Sequence, residues 1–409
     1  MVDVAAHKDL KVRVEEYGNE TASKTALVSC KGAKVQTPSR GLFLSSNPLS
    51  ESRLLSNQKY RGINEVYKRL GSETVDAIDE DADYQRRFQS KLIPTNLGSI
   101  LQNELLLTVF SLEERRSNGK WEPWEPTNRQ LDYLTDFLFG IPFNNVVIPP
   151  AIRGLDGEKY VAFLREFFER IPSQQSAVVA GLVPNGSHRD VKAVLDFYYK
   201  KGLTAYVLDF QGRTPLCYWS LLPAFSSHLW KVQKEFGPHY AHALNVRYGM
   251  KRDRAGFVPA RDMLLLLECF DSFGGSHIAP RFSEEFRKKL EEGDVLPTKP
   301  RFFDHRAYGY YTPDDSAVQA GRACVRFGIQ GPVSSRDLDD PAKLAGVCKA
   351  INAAATAVEC RALATKISTG EEMKYLQSKQ AVVRDTHRVK AVKAAYGPET
   401  HESTIDDWI

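Results

Sequence analysis

The chain has 409 residues, enough for two or three average domains or for one large barrel with additions. Its 42% hydrophobic and 26% charged residues are ordinary for a globular protein, and no apolar run approaches the ~18 residues of a membrane helix. A net charge of +4 permits nucleic-acid binding without demanding it.

Met1–Leu10 mixes Asp, His and Lys without an apolar signal core, so a cytoplasmic location is expected. Thr25–Cys30 and Ala33–Gln36 flank Lys31-Gly32 and predict a hairpin. Short apolar runs ending in turn residues then predict strands at Gly41–Ser46, Lys91–Thr95, Asn145–Ile148, Ser176–Val183, Thr204–Leu208 and Ala241–Val246. Leu264–Phe270 fits a helix end or a strand buried on both faces, and is read as the seventh strand. An eighth is expected within residues 49–90. Helical patterns fall between the strands, at Glu158–Arg170 and at Asp190–Lys201, the latter opened by Ser187 as N-cap.

Strands alternating with helices predict βαβ units and a parallel sheet. With no Gly-rich dinucleotide fingerprint after the first strand, an α/β fold of the (β/α)8 TIM-like barrel type is favoured over a doubly wound sheet. The expected organisation is an N-terminal β region (1–40), a barrel with insertions (41–311), a C-terminal helical segment (312–400) and an acidic tail (401–409). Lys343–Lys366 and Glu371–Ala395 are the helical stretches of that segment, while the charged, Tyr-containing residues 281–320 give no clear pattern. On this reading Asp271 ends an apolar strand and enters a Ser-Phe-Gly-Gly loop, at the barrel rim where catalytic residues sit. The same residue type in the same place also serves as a helix cap.

Several segments, in order, resemble the tRNA-guanine transglycosylases. They are Gly32-Ala-Lys-Val-Gln-Thr-Pro38 before Leu42-Phe-Leu, Gly181-Leu-Val-Pro-Asn-Gly186 before His188-Arg189-Asp190, and Phe270-Asp271-Ser272, similar to the archaeal branch. Asn352, Glu359 and Gly370 fall at the spacing of the family's C-terminal helical segment. The resemblance implies a base exchange in which a carboxylate attacks C1′ of a guanosine, guanine leaves, and a 7-deazaguanine base such as preQ0 displaces the enzyme. Asp271 is the implied nucleophile.

The departures are as informative. Thr95-Asn96-Leu97-Gly98 stands where the family has Thr-Asp-Ser-Gly, so Asn96 replaces a catalytic acid and cannot shuttle a proton. Pro149-Pro150 and Pro184-Asn185 fall where the family's base-recognising residues are expected. Asp209 is a candidate replacement acid or guanine reader; a rim salt bridge or helix cap is its other role. If it shares two-carboxylate chemistry with Asp271, the pair should lie roughly 5–6 Å apart.

The same positions imply a substrate pocket of Gly98, Ser99, Asn185, Gly186, Gln211 and Gly212, with Tyr248, Gly249 and Phe273 around the base. Arg247, Lys251, Arg252 and Arg254 are expected to hold phosphates. Lys374, Lys379, Arg384, Arg388, Lys390 and Lys393 form either a second basic face or a solvated helix. Tyr308, Tyr310 and Tyr311 stack on a base or, more simply, fill the joint between barrel and C-terminal helices.

The six cysteines (Cys30, Cys217, Cys269, Cys324, Cys348 and Cys360) show no Cys-x-x-Cys spacing, as in reduced, cytosolic proteins. Phe302-Phe303-Asp304-His305 occupies the family's cysteine cluster and Ile351 its histidine, leaving Cys324, Cys348 and His305 as a poor zinc set. No cofactor and no metal are expected. The divergence favours DNA over tRNA as polymer, with a homodimer or helper proteins as partners and no membrane. The competing readings are a non-catalytic nucleic-acid-binding subunit and an unrelated barrel hydrolase.

Overall fold

Two parallel sheets dominate the computed structural model, which describes residues 10–45, 50–93, 95–113, 115–117, 120–142, 144–171, 178–249, 256–278, 288, 300–329 and 335–397. One sheet runs Leu42–Phe43, Ile63–Leu70, Leu105–Leu112, Asn144–Val147, Val178–Val179. The other runs Ser39–Arg40, Ser272–Gly275, Tyr240–Val246, Ala205–Asp209, Gly181–Val183. They meet at two segments. In residues 39–43, Ser39 and Arg40 pair with Ser272 and Phe273, while Leu42 and Phe43 pair with Asn64 and Glu65. The intervening Gly41 N donates to Phe273 O at 2.8 Å. In residues 178–183, Ala180 N donates to Val147 O at 3.0 Å, and Gly181 already pairs with Tyr206. The protein is thus a mixed α/β fold with parallel sheets.

The strands alternate two apolar faces, as a period of two requires. Leu105, Leu107, Val109, Val146, Val207 and Leu244 pack into one buried cluster. Leu106, Phe110, Val147, Tyr206, Leu208 and Ala243 pack into another, together with helix residues. Capping fixes where those helices begin. Thr127 and Gln130 form a capping box on Asn128–Phe139, Asp156 caps Gly157–Glu169, and Ser187 with Asp190 forms a box on His188–Lys200. The last two match the sequence expectation within two residues, including Ser187.

The predicted hairpin is present as Lys24–Cys30 against Ala33–Thr37, and an unanticipated strand, Leu10–Tyr17, completes a three-stranded antiparallel sheet. Its Leu10, Val28, Cys30 and Val35 join the inner cluster with Ile63 and Leu105, the first residues of their strands. Gly32 N also donates to the Asn144 side chain at 3.0 Å, so this sheet closes the amino ends of the parallel strands.

Two expected strands are helices. Lys91–Thr95 is the end of helix Ala82–Leu92 and the start of a 3-10 turn, Thr95–Leu97. The strand of that region is Leu105–Leu112, which the sequence reading passed over although all eight of its residues are buried. Leu264–Phe270 belongs mostly to helix Arg261–Glu268, and the strand follows at Ser272–Gly275. Every residue of Met263–Glu268 is buried, so this helix lacks the polar face that would distinguish it from a buried strand. The strand expected within 49–90 is Ile63–Leu70.

The C-terminal segment is helical at Pro341–Ser368, Glu372–Gln377 and Thr386–Ala395. Tyr308 and Tyr310 fill the joint in front of it, donating to Glu359 at 2.8 Å and to Asp262 at 2.6 Å. Lys379 donates inward to His305 O at 2.8 Å and Lys393 to Gly18 O at 3.2 Å, while Lys374, Arg384 and Lys390 are exposed. Among the described residues no helix is long and apolar enough to cross a membrane.

Glu268 lies buried where this segment docks. Burial and the nearby Asp385 push its carboxyl up to about 8, against the pull of Arg388. Its folded value lies above the unfolded one, so its contribution is fully present below about 4.5 and lost as pH rises through 8. Glu268→Gln should remove that decline, which urea titrations at pH 5, 7 and 9 will read; equal slopes in both proteins would contradict the assignment.

Candidate functional site

Asp271, the expected nucleophile, sits at the opposite end of its strand from the one anticipated. A helix precedes it and Ser272–Gly275 follows, so it occupies an amino end. Its N–H donates to Ala241 O and its Oδ2 accepts from Ala241 N, both at 2.8 Å. Lys24 Nζ donates to the same Oδ2 at 3.1 Å and to His239 Nε2 at 3.0 Å. His239 accepts this bond as a neutral ring, because burial and Lys24 hold its pKa well below the usual value. Burial raises the Asp271 carboxyl, opposed by Lys24 and the Ala241 N–H. Asp271 is 1% exposed, sealed beneath the N-terminal sheet rather than open at a rim.

The same displacement moves other expected residues. Asn96, Gly98 and Ser99 precede Leu105–Leu112 and lie toward its amino end, with Asn96 and Ser99 exposed. Phe273 is a core side chain with the Arg40 guanidinium 5.1 Å from its ring centroid, so it does not sandwich a base. Asp209 pairs with Leu244 and Asp271 bonds at Ala241, three residues, or about 10 Å, apart along one strand. The two acids form no pair.

From Asp209, Asn245 and His277 at carboxyl ends, a polar chain runs through the strand array to Glu65, His242, Ser272 and Tyr240 in the amino halves of their strands. Asp209, the last residue of its strand, accepts from Gln211 N at 2.8 Å and Asn245 Nδ2 at 2.9 Å through Oδ1. Asn245 Oδ1 accepts from His277 N at 3.0 Å. His277 Nε2 bonds to Glu65 Oε2, and His242 Nε2 lies 2.9 Å from Glu65 Oε1. His242 Nδ1 meets Ser272 Oγ at 2.8 Å, which meets Tyr240 OH at 2.7 Å.

Local backbone geometry makes this arrangement. The pairing of Tyr240–Val246 with Ser272–Gly275 shifts register between Ala243 and Val246, and Asn245 takes a left-handed φ of 57° within that irregularity. Glu65 is seated against two glycines: a Cβ at Gly274 would overlap its carboxylate, and one at Gly41 would lie 2.5 Å from Oε1. The His277 ring lies between Phe43 and Tyr67, with centroids at 4.3 and 5.5 Å.

The electrostatics push the two acids apart. Burial would raise Glu65, but His277 and His242 outweigh it and hold the carboxyl well below its usual range. Burial raises Asp209, only partly countered by the bonds from Asn245 and Gln211.

Of the other expected residues, Gln211 and Gly212 bend the chain beyond Asp209, with φ of 48° and 72°, and Gly212 N donates to Asn245 O at 2.9 Å. Asn185 and Gly186 follow Gly181–Val183 at its carboxyl end. Tyr248 stacks on Tyr310 with centroids 3.8 Å apart, Gly249 O accepts from Arg301 at 3.3 Å, and Arg247 N donates to Arg213 O at 3.0 Å. Lys251, Arg252 and Arg254 lie outside the described residues. Sequence reasoning missed Glu65, His242, Asn245 and His277. Only His277 carried a local signal, ending the Ser-Phe-Gly-Gly-Ser-His stretch. Among the described residues, no group of three or more His, Cys, Asp or Glu side chains is arranged to hold a metal ion. No protein-family model and no curated protein matches the chain.

Proposed function

We propose that the two parallel sheets are arcs of one closed (β/α)8 barrel, and that its carboxyl end exchanges a guanine in nucleic acid for a 7-deazaguanine base. DNA is the polymer we favour. The closed barrel is supported by residues 39–43 and 178–183, each of which bonds to both sheets. The site is supported by one observation above all: Asp209, Asn245 and His277, at the carboxyl ends where barrel enzymes do their chemistry, form a hydrogen-bonded chain that continues to Glu65 within its strand.

In this reading the Asp209 carboxylate attacks C1′ as the C1′–N9 bond breaks and the bonding pair leaves with guanine. His277, held by Glu65, gives the departing base a proton. It recovers one from N9 of the incoming base, which attacks C1′ and releases Asp209. His242 positions Glu65. A non-catalytic binding subunit is the second reading, favoured by the near-complete burial of both Asp209 and Glu65.

Covalent trapping decides between them. The protein is incubated with guanine-containing DNA or with tRNA, with and without preQ0, and resolved on denaturing gels. An adduct lost in Asp209→Asn, with exchange reduced on the order of 10⁴-fold, is the expected result. An adduct that survives Asp209→Asn but not Asp271→Asn would return the nucleophile to Asp271. Binding without adduct or exchange on either polymer would leave the binding subunit.

A further inference from the structure

We propose that Arg153 is a positioning residue of the carboxyl end, which holds Asp209 as an anion and is itself steadied by Tyr67 and Ser111. This rests on the reading that Asp209 does the work there, but not on the reaction assigned to it.

Four residues from four segments converge by strand alternation. Ala205 and Val207 lie in the inner cluster, so Asp209, two residues further on, faces the same way. Leu105, Leu107 and Val109 do the same for Ser111, and Tyr67 is itself a member of that cluster. Ala151 belongs to the inner cluster and Ile152 to the helix-side one, which returns Arg153 to the inner side. Ala151 pairs with Ser111, so the Arg153 side chain starts from the carboxyl end of Leu105–Leu112. Gly154, with φ of 77°, turns the chain away directly after it.

Within this group the Tyr67 hydroxyl hydrogen-bonds with Ser111 and with the Arg153 guanidinium. The Tyr67 ring stacks on His277 at an interplanar angle of 26°, which fixes where that hydroxyl stands. The Asp209 carboxylate faces Arg153 and Tyr67, together with His277, Tyr160 and Tyr218. Burial raises all three tyrosines, which stay neutral, and His277 is engaged with Glu65. Of these groups, Arg153 alone brings a cation that no ordinary pH discharges. Asp209 needs it, because burial pushes its carboxyl up and the neutral donors Asn245 and Gln211 offset that only in part. Both donors end on Oδ1, so in this reading Oδ2 is the oxygen that attacks C1′.

Titrating Asp209 directly tests this without substrate. Protein labelled with carbon-13 at the aspartate Cγ is followed by NMR from acid to alkaline pH, and Asp209→Asn identifies the resonance. In Arg153→Gln the Asp209 midpoint should rise by about one unit or more. Arg153→Lys should bring it most of the way back, because it restores the charge without the planar donor fork. Tyr67→Phe should move it in the same direction by less, since Arg153 then loses a partner. The other aspartate resonances should stay in place, which separates the shift from a folding defect. A midpoint unmoved in Arg153→Gln would overturn the proposal. So would an equal rise in Arg153→Lys, which would trace the effect to packing and not to charge. Base exchange, followed alongside, keeps the two readings apart. An acid limb that moves up with the Asp209 midpoint supports both. Exchange with an unmoved midpoint would sink the role of Arg153 and spare the reaction; a moved midpoint with no exchange on either polymer would do the reverse.

Discussion

Lys24→Met is expected to lower the unfolding free energy by about 3–5 kcal/mol, because it strands the Asp271 carboxylate in a dry interior. The two side chains are 5% and 0% exposed and 3.1 Å apart, and after the change the Asp271 carboxylate keeps the neutral Ala241 N–H and Thr37 hydroxyl but no positive charge. The double variant Lys24→Met/Asp271→Leu should regain most of the loss, since both buried charges are then gone. The deficit also depends on pH. Burial raises Asp271 in the folded state, so its contribution is fully present below its unfolded value, near 3.8, and lost as pH rises through the folded one. Without Lys24 the folded value rises further and the window widens upward. Urea unfolding should therefore find a smaller deficit at pH 4 than at pH 8. A double variant no more stable than the single one would show that the pair is not what holds this end together.

Gly274→Ala should cost about 3 kcal/mol and reduce base exchange on the order of 10²-fold. The added methyl would occupy the place of the Glu65 carboxylate, which cannot swing aside without leaving His242 and His277. Calorimetric melting and the exchange assay measure the two effects separately. A variant that melts with the wild type would mean that Glu65 has room to move, and that its seat between Gly41 and Gly274 does not fix the site.

How much of this was legible depends on where the information resides. Runs such as Thr204–Leu208 and Ala241–Val246 end in Asp or Arg-Tyr-Gly and were placed correctly, as were the helices announced by Ser187 and by the pattern from Glu158. Local chemistry sets those boundaries. Met263–Glu268 and Leu105–Leu112 differ in conformation but not in burial, and apolar content alone cannot separate them. That one confusion reversed the position of Asp271, placing it at a carboxyl end instead of an amino end. Asp209 was recognisable because it terminates a strand that was itself recognisable. Glu65 and His277 were not, because their contact joins residues 212 positions apart and no short segment records it.

The sheet at the amino ends bears on how the chain is made. Lys24 is synthesised 247 residues before the Asp271 it binds. At ~5–20 residues per second, roughly 12–50 s pass before the partner is translated. Through that interval Val28, Cys30 and Val35 have no completed floor of strands to cover. Lys11, Arg13 and Glu15, exposed along the outer strand, put charge on the edge where another nascent chain would pair. This sheet is therefore translated well before its full set of neighbours.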